Sequence, residues 1–122
     1  MATEPVSPAY KLIILFEQPA DLATFERRWS EEFVPLAEQL PGLRRVVVSH
    51  THGGPAGRVP FYLLHELHFD SLPAVTAAMN SPAGLAAGQC LVRLAGAAVQ
   101  LMFAEHMEDR PLAGLPPADG PD

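Results

Sequence analysis

The sequence predicts an α+β fold of order βαββαβ, the ferredoxin-like arrangement of a four-stranded antiparallel sheet with helices on one face. Three observations predict it. Four short runs rich in Val, Ile, Leu and Phe alternate with helix-patterned stretches in that order. Pro, Gly, Asn, Asp and Ser punctuate the junctions. One helical stretch, Phe25 to Leu43, carries a proline at position 35, so a kink is expected inside it.

Residues 1–9 contain Pro5 and Pro8 and read as a flexible N-terminus. Tyr10–Phe16 is a short apolar run and reads as the first strand. Gln18-Pro19-Ala20-Asp21 is a turn, with Asp21 placed to cap the helix that follows. In that helix apolar residues fall at 22, 25, 29, 33, 36 and 40, the spacing of one face. Pro35 removes a backbone donor and presses on the carbonyl of Glu31, at a cost of about 3 kcal/mol in a regular helix. Pro41-Gly42 ends the helix.

Arg44–His52, with Val46-Val47-Val48, reads as strand two, and Phe61–Phe69 as strand three. Gly53–Gly57 is the hairpin connection between them; it opens no helix and so lacks the amide cradle of a phosphate loop. Asp70-Ser71-Leu72-Pro73 starts a second helical region. Asn80-Ser81-Pro82 interrupts that region and recaps it, giving two pieces. Gly84 and Gly88 weaken the second piece by about 1 kcal/mol each relative to alanine. Ala97–Glu105 is the last strand, the domain spans 10–106, and 107–122 is a proline-rich tail.

A chain of 122 residues fits one domain. The net charge is −6 and no basic run exceeds two residues, which argues against nucleic acid or an anionic membrane surface as partner. Cys90 is the only cysteine, so no intrachain disulfide forms and a reducing cytoplasm is the expected setting. The first residues show no apolar h-region of a signal peptide, and no window approaches the ~18 apolar residues of a membrane span.

Helices can cover only one face of such a sheet, yet the strands are apolar on both. Leu12, Ile14 and Phe16 line one side of strand one, Ile13 and Leu15 the other; in strand four Val99, Leu101 and Phe103 oppose Ala98, Met102 and Ala104. A second copy of the same sheet is the simplest cover, so a homodimer is expected.

From about Tyr10 to Glu105 the chain resembles the EthD family, named for ethyl tert-butyl ether degradation, within the dimeric α/β barrels. The resemblance rests on Phe25, Val34-Pro35-Leu36-Ala37, Leu40-Pro41-Gly42-Leu43-Arg44-Arg45, Ser49, and Glu66-Leu67 followed by Phe69-Asp70-Ser71-Leu72, with Pro82 and Gly84 in support. It implies a barrel of two sheets with a ligand pocket in each protomer between sheet and helices. It also implies action on small aromatic or polyketide-like compounds, by oxidation, cyclisation, dehydration or lactone isomerisation. The family pattern carries a histidine two residues before the helix proline, preceded by tyrosines; this chain has Phe33 there, and Arg28 and Trp29 at the tyrosine positions. Phenylalanine neither gives nor takes a proton.

The residues themselves offer His65, on the otherwise apolar Phe61-Leu63-His65-Leu67-Phe69 row, either as a pocket base or as a core histidine. Trp29, Phe33, Pro35, His65 and Met102, with Met79, are the expected pocket walls. Glu66 points to the opposite side beside His68 and is expected to pair, with Arg45 a candidate. His50 and His52 share a face near a loop where water solvates them, and His106 is expected to be solvated too; no metal site is expected. Cys90 reads as inert. Two functions remain open. One is an enzyme without cofactor, an oxidoreductase, cyclase or isomerase of small apolar or aromatic compounds, with His65 moving protons. The other is a non-catalytic barrel that holds such a ligand, or a haem bound through His65 or His50.

Overall fold

The computed structural model describes residues 9–108; the expected flexible N-terminus before Ala9 and the tail beyond Glu108 lie outside the described residues. The elements are β1 (Ala9–Glu17), α1 (Leu22–Arg28), α2 (Val34–Ala37), β2 (Arg45–His50), β3 (Phe61–Phe69), α3 (Leu72–Met79), α4 (Pro82–Ala95) and β4 (Val99–His106). The sheet order is β2-β3-β1-β4 with every neighbouring pair antiparallel, the ferredoxin-like topology.

Local chemistry sets the helix starts. The Asp21 carboxylate accepts from the Thr24 N–H at 3.1 Å. Ser71 caps α3 through the Ala74 N–H, and Ser81 caps α4 through the Gly84 N–H. The second helical region is therefore two helices, broken where Asn80-Ser81-Pro82 breaks it. Gly84 has a further reason to be glycine: a Cβ there would lie 2.2 Å from the Ala78 carbonyl oxygen, so its absence lets α4 close on α3.

The first helical region departs from expectation. Between α1 and α2 the backbone widens into a π turn, Trp29–Phe33, and the Val34 N–H bonds the Trp29 carbonyl five residues back. Pro35 is then the second residue of the four-residue α2, in the first turn, where a missing donor is tolerated. The kink is taken up before the proline, by the extra residue in the turn. The widening also changes the buried face. A straight helix turns about 100° per residue, so positions 25, 29, 33 and 37 would drift by about 120°. The π turn reverses that drift, and Phe25, Trp29, Phe33 and Ala37 all point inward. Leu22, expected on that face, is 49% exposed. The last turn tightens through i→i+3 bonds, from Gln39 to Leu36 and from Leu40 to Ala37, so the helix ends at Ala37 and short of Leu40.

Two strands are shorter than expected. β2 ends at His50, because Thr51 turns its N–H and hydroxyl to the Tyr62 and Phe61 carbonyls. β4 begins at Val99, because Gly96–Ala98 forms a 3₁₀ turn. At the other end of β1, Phe16 pairs with Leu63 but Glu17 pairs with Phe61, which leaves Tyr62 as a bulged residue outside the alternation.

The core lies between helices and sheet, built on Leu12, Ile14, Phe16, Leu63, Leu67 and Phe69 from the strands. The opposite face carries Ile13, Leu15, Val47, Leu64, Met102 and Ala104, with charged groups at one end. No described helix covers it.

Candidate functional site

The π turn carries Trp29 and Phe33 against β3, where His65 stands in the helix-facing row. Trp29 is 8%, Phe33 1% and His65 1% exposed. The Trp29 indole N–H donates to His65 Nδ1 at 3.2 Å, and the Phe33 ring lies edge-on to the imidazole with centroids 5.5 Å apart. Accepting at Nδ1 fixes the neutral imidazole's proton on Nε2. Burial lowers the His65 pKa to about 4, because a charged ring would lose its hydration without gaining a partner. His65 is therefore neutral near pH 7.

Of the expected pocket residues, Trp29, Phe33 and His65 come together, as a packed edge-to-face stack. Pro35 lies on the exposed side of α2. Met102 pairs with Ile13 on the sheet face turned away from the helices.

An apolar cavity of about 60 Å³ does lie between sheet and helices, one layer from His65. Its floor is Leu12, Ile14, Leu67 and Leu101; Phe33, Leu40, Met79 and Leu91 wall it; Gly84, Ala87 and Gly88 roof it from α4. A Cβ at Gly88 would meet nothing within 4 Å, so Gly88 is the open spot in the roof. Leu101, on edge strand β4, is the floor residue open to solvent, 48% exposed.

Sequence reasoning missed a second cluster adjoining Trp29. His50 Nε2 lies 2.8 Å from Glu26 Oε2, and the Tyr62 hydroxyl donates to the same oxygen. His50 stacks edge-on with Tyr62, centroids 5.4 Å apart, and with Trp29 at 6.3 Å. His50 is exposed as expected but also has a carboxylate partner, and the expected shared face with His52 is corrected, because His52 lies beyond the end of β2. Burial first, then the Glu26 hydrogen bond and charge, push the Tyr62 pKa up to about 12. The four-residue spacing of 25, 29, 33 and 37 was the available signal for the turn that aims Trp29 inward. No local signal marks Glu26, His50 and Tyr62, which come from three elements.

The uncovered sheet face holds a third group. Lys11 Nζ pairs with Glu66 Oε1 at 2.8 Å, and Arg45 pairs with Glu108 at 2.7 Å, so Arg45 is not the partner of Glu66. His106 bonds Glu108 at 2.8 Å instead of standing free in solvent. Burial works to raise the Glu66 pKa, but the Lys11 hydrogen bond and charge, with His68 beside them, hold it below the usual range. His68 Nε2, 3.3 Å from Glu66 and poorly aligned with it, has no hydrogen-bond partner among the described residues. Burial, then the charges of Arg45 and Lys11, lower its pKa.

Cys90 is fully buried, and desolvation raises its pKa, which disfavours thiolate chemistry. Among the described residues no group of three or more His, Cys, Asp or Glu is placed to hold a metal ion, and no helix is long and apolar enough to cross a membrane.

Comparison with known proteins places this architecture. The EthD domain matches residues 17–90. The crystal structure of an EthD family protein from Bacillus halodurans is similar, with 35% identity and a TM-score of 0.78, covering 81% of this chain and 99% of that one. The fold is shared with a dimeric ferredoxin-like protein of unknown function from Jannaschia sp., at 19% identity and TM-score 0.60, covering 82% of this chain and 100% of that one. It is shared too with SnoaB, a cofactor-independent oxygenase from Streptomyces nogalater, at 13% identity and TM-score 0.56, covering 88% and 98%. The match of the EthD domain over residues 17–90 and the 35% identity to a solved family member lead to one conclusion: this chain belongs to the EthD family.

Proposed function

We propose that the protein is a homodimer that holds a small apolar or aromatic compound between sheet and helices. The observation that supports this best is the cavity under α4, every lining residue of which is apolar or glycine. A site with no ionisable lining group selects ligands by shape and hydrophobicity. Its volume of about 60 Å³ is small for an aromatic ring. Leu101 of the floor, half exposed, and Met79 of the wall, with its three rotatable bonds, are the lining residues that give way. In this setting His65 anchors Trp29 and shapes the wall behind Phe33. Held neutral with a pKa of about 4 and with Nδ1 already used, it is a poor proton carrier at pH 7. With Nδ1 accepting from Trp29, Nε2 carries the ring proton, and His65 has no free lone pair for haem iron. SnoaB shows that this fold also hosts oxygenation without a cofactor, and a carbanion-forming substrate in the cleft would make that second reading apply.

The test uses fluorobenzene as probe, followed by fluorine NMR line broadening. The wild type is expected to broaden the signal saturably, and Gly88→Leu, which plants a side chain in the open roof position, is expected to abolish the effect. Equal broadening by both proteins, or none by the wild type, counts against the cleft.

A further inference from the structure

We propose that His50, held by Glu26, is a general base that takes a proton from an aromatic carbon acid or phenol seated over Val48. The cluster has the parts a positioned base needs. Glu26 Oε2 receives both the Tyr62 hydroxyl and, at 2.8 Å, His50 Nε2. With Nε2–H turned to the carboxylate, the His50 lone pair is on Nδ1. A base oriented through its other nitrogen by a carboxylate is the arrangement that proton-abstracting sites use.

Its surroundings are specific as well. Tyr62 is a bulged residue, and only that bulge turns it to Glu26 and the Phe25 ring rather than to the other sheet face. Trp29, aimed inward by the π turn, presents an edge to His50. The His50 side chain is 43% exposed, so substrate reaches it, unlike buried His65. Val48, two residues before His50 on the same side of edge strand β2, is 39% exposed and gives an aromatic ring an apolar seat. This site uses none of the residues that line the cavity under α4, and it adds proton transfer to a protein whose cleft has no proton carrier.

The probe is 5-nitro-1,2-benzisoxazole, an aromatic carbon acid. His50 Nδ1 takes the ring C–H proton, the C–H electron pair becomes part of a nitrile, and the N–O bond breaks to leave a coloured phenolate. The base then returns its proton to solvent, so no oxidant or cofactor enters. The wild type is expected to exceed free imidazole at equal concentration, His50→Gln to lose about tenfold or more of that rate, and Glu26→Gln to lose a substantial part. Nitrogen NMR of the histidines supplies a readout apart from rate: His50 is expected to carry its proton on Nε2 in the wild type and to lose that preference in Glu26→Gln. A wild-type rate no better than imidazole, a His50→Gln rate equal to wild type, or a wild-type His50 protonated on Nδ1 instead of Nε2, each overturns the proposal.

Discussion

Trp29 and His65 satisfy each other inside the core: the indole N–H donates to Nδ1 at 3.2 Å where the imidazole is 1% exposed. Neither group has water to turn to. Replacing Trp29 with Phe keeps an aromatic wall and leaves Nδ1 without its donor. An orphaned buried acceptor costs about 1–3 kcal/mol, on top of the lost ring volume. Urea unfolding of Trp29→Phe is expected to show a lowered midpoint with an unchanged slope. If His65→Leu in the same background restores more than half of the loss, the unpaired nitrogen was its cause. If it deepens the loss, packing alone explains it.

The same pair makes stability depend on pH. The folded pKa of His65, about 4, lies below the ordinary value of 6.5, so the unfolded chain binds more protons between those limits. Stability is then fully present above about pH 6.5 and is lost as pH falls toward 4. From about pH 7.5 to pH 5 the expected loss is on the order of 2 kcal/mol. His68, whose pKa is also lowered, adds in the same direction. His65→Gln, which keeps an acceptor for Trp29 but does not titrate, is expected to flatten most of this slope in thermal melts. An identical slope in both proteins would remove His65 as its source.

Much of the fold was legible because it is written in local chemistry. Asp21, Ser71 and Ser81 each cap a helix through a neighbour three residues on, and β3 spans Phe61 to Phe69 as expected, with its alternation intact from Leu63 onward. The first helix was less legible, because a face drawn at a fixed rotation per residue puts Leu22 inside and misses Ala37. The π turn breaks that assumption. The Glu26, His50 and Tyr62 cluster was not legible at all. Its members are 24 and 36 residues from Glu26 along the chain, and the bulge that turns Tyr62 inward is set by a register slip on β1.

Gly84 and Gly88 look equivalent in sequence, two helix-weakening residues one turn apart on α4, and the structure separates them. A Cβ at Gly84 would sit 2.2 Å from the Ala78 carbonyl oxygen and 2.5 Å from that of Met79, both backbone atoms that cannot step aside. Gly84→Ala must push α4 off α3 and is expected to destabilise by about 1–3 kcal/mol. At Gly88 the added methyl meets nothing within 4 Å, so Gly88→Ala is expected to stabilise by up to about 1 kcal/mol through helix propensity. Chemical denaturation of the two variants should move the midpoint in opposite directions. Shifts of the same sign would mean that the α3–α4 contact is looser than the distances indicate.

The uncovered sheet face yields the last prediction. Met102 pairs with Ile13 there and is 43% exposed, while Leu15 and Leu64 pair beside them. A second copy meeting this face would bury Met102 against apolar neighbours, where a carboxylate has no compensating partner within the Ile13–Leu15–Leu64 patch. Met102→Glu is therefore expected to convert a dimer into a monomer of 13.1 kDa in sedimentation equilibrium. Val92→Glu, on α4 and 70% exposed on the far side of the molecule, should leave the dimer intact. A wild type that sediments at 13.1 kDa at micromolar concentration would overturn the homodimer, and a Met102→Glu dimer would place its interface elsewhere.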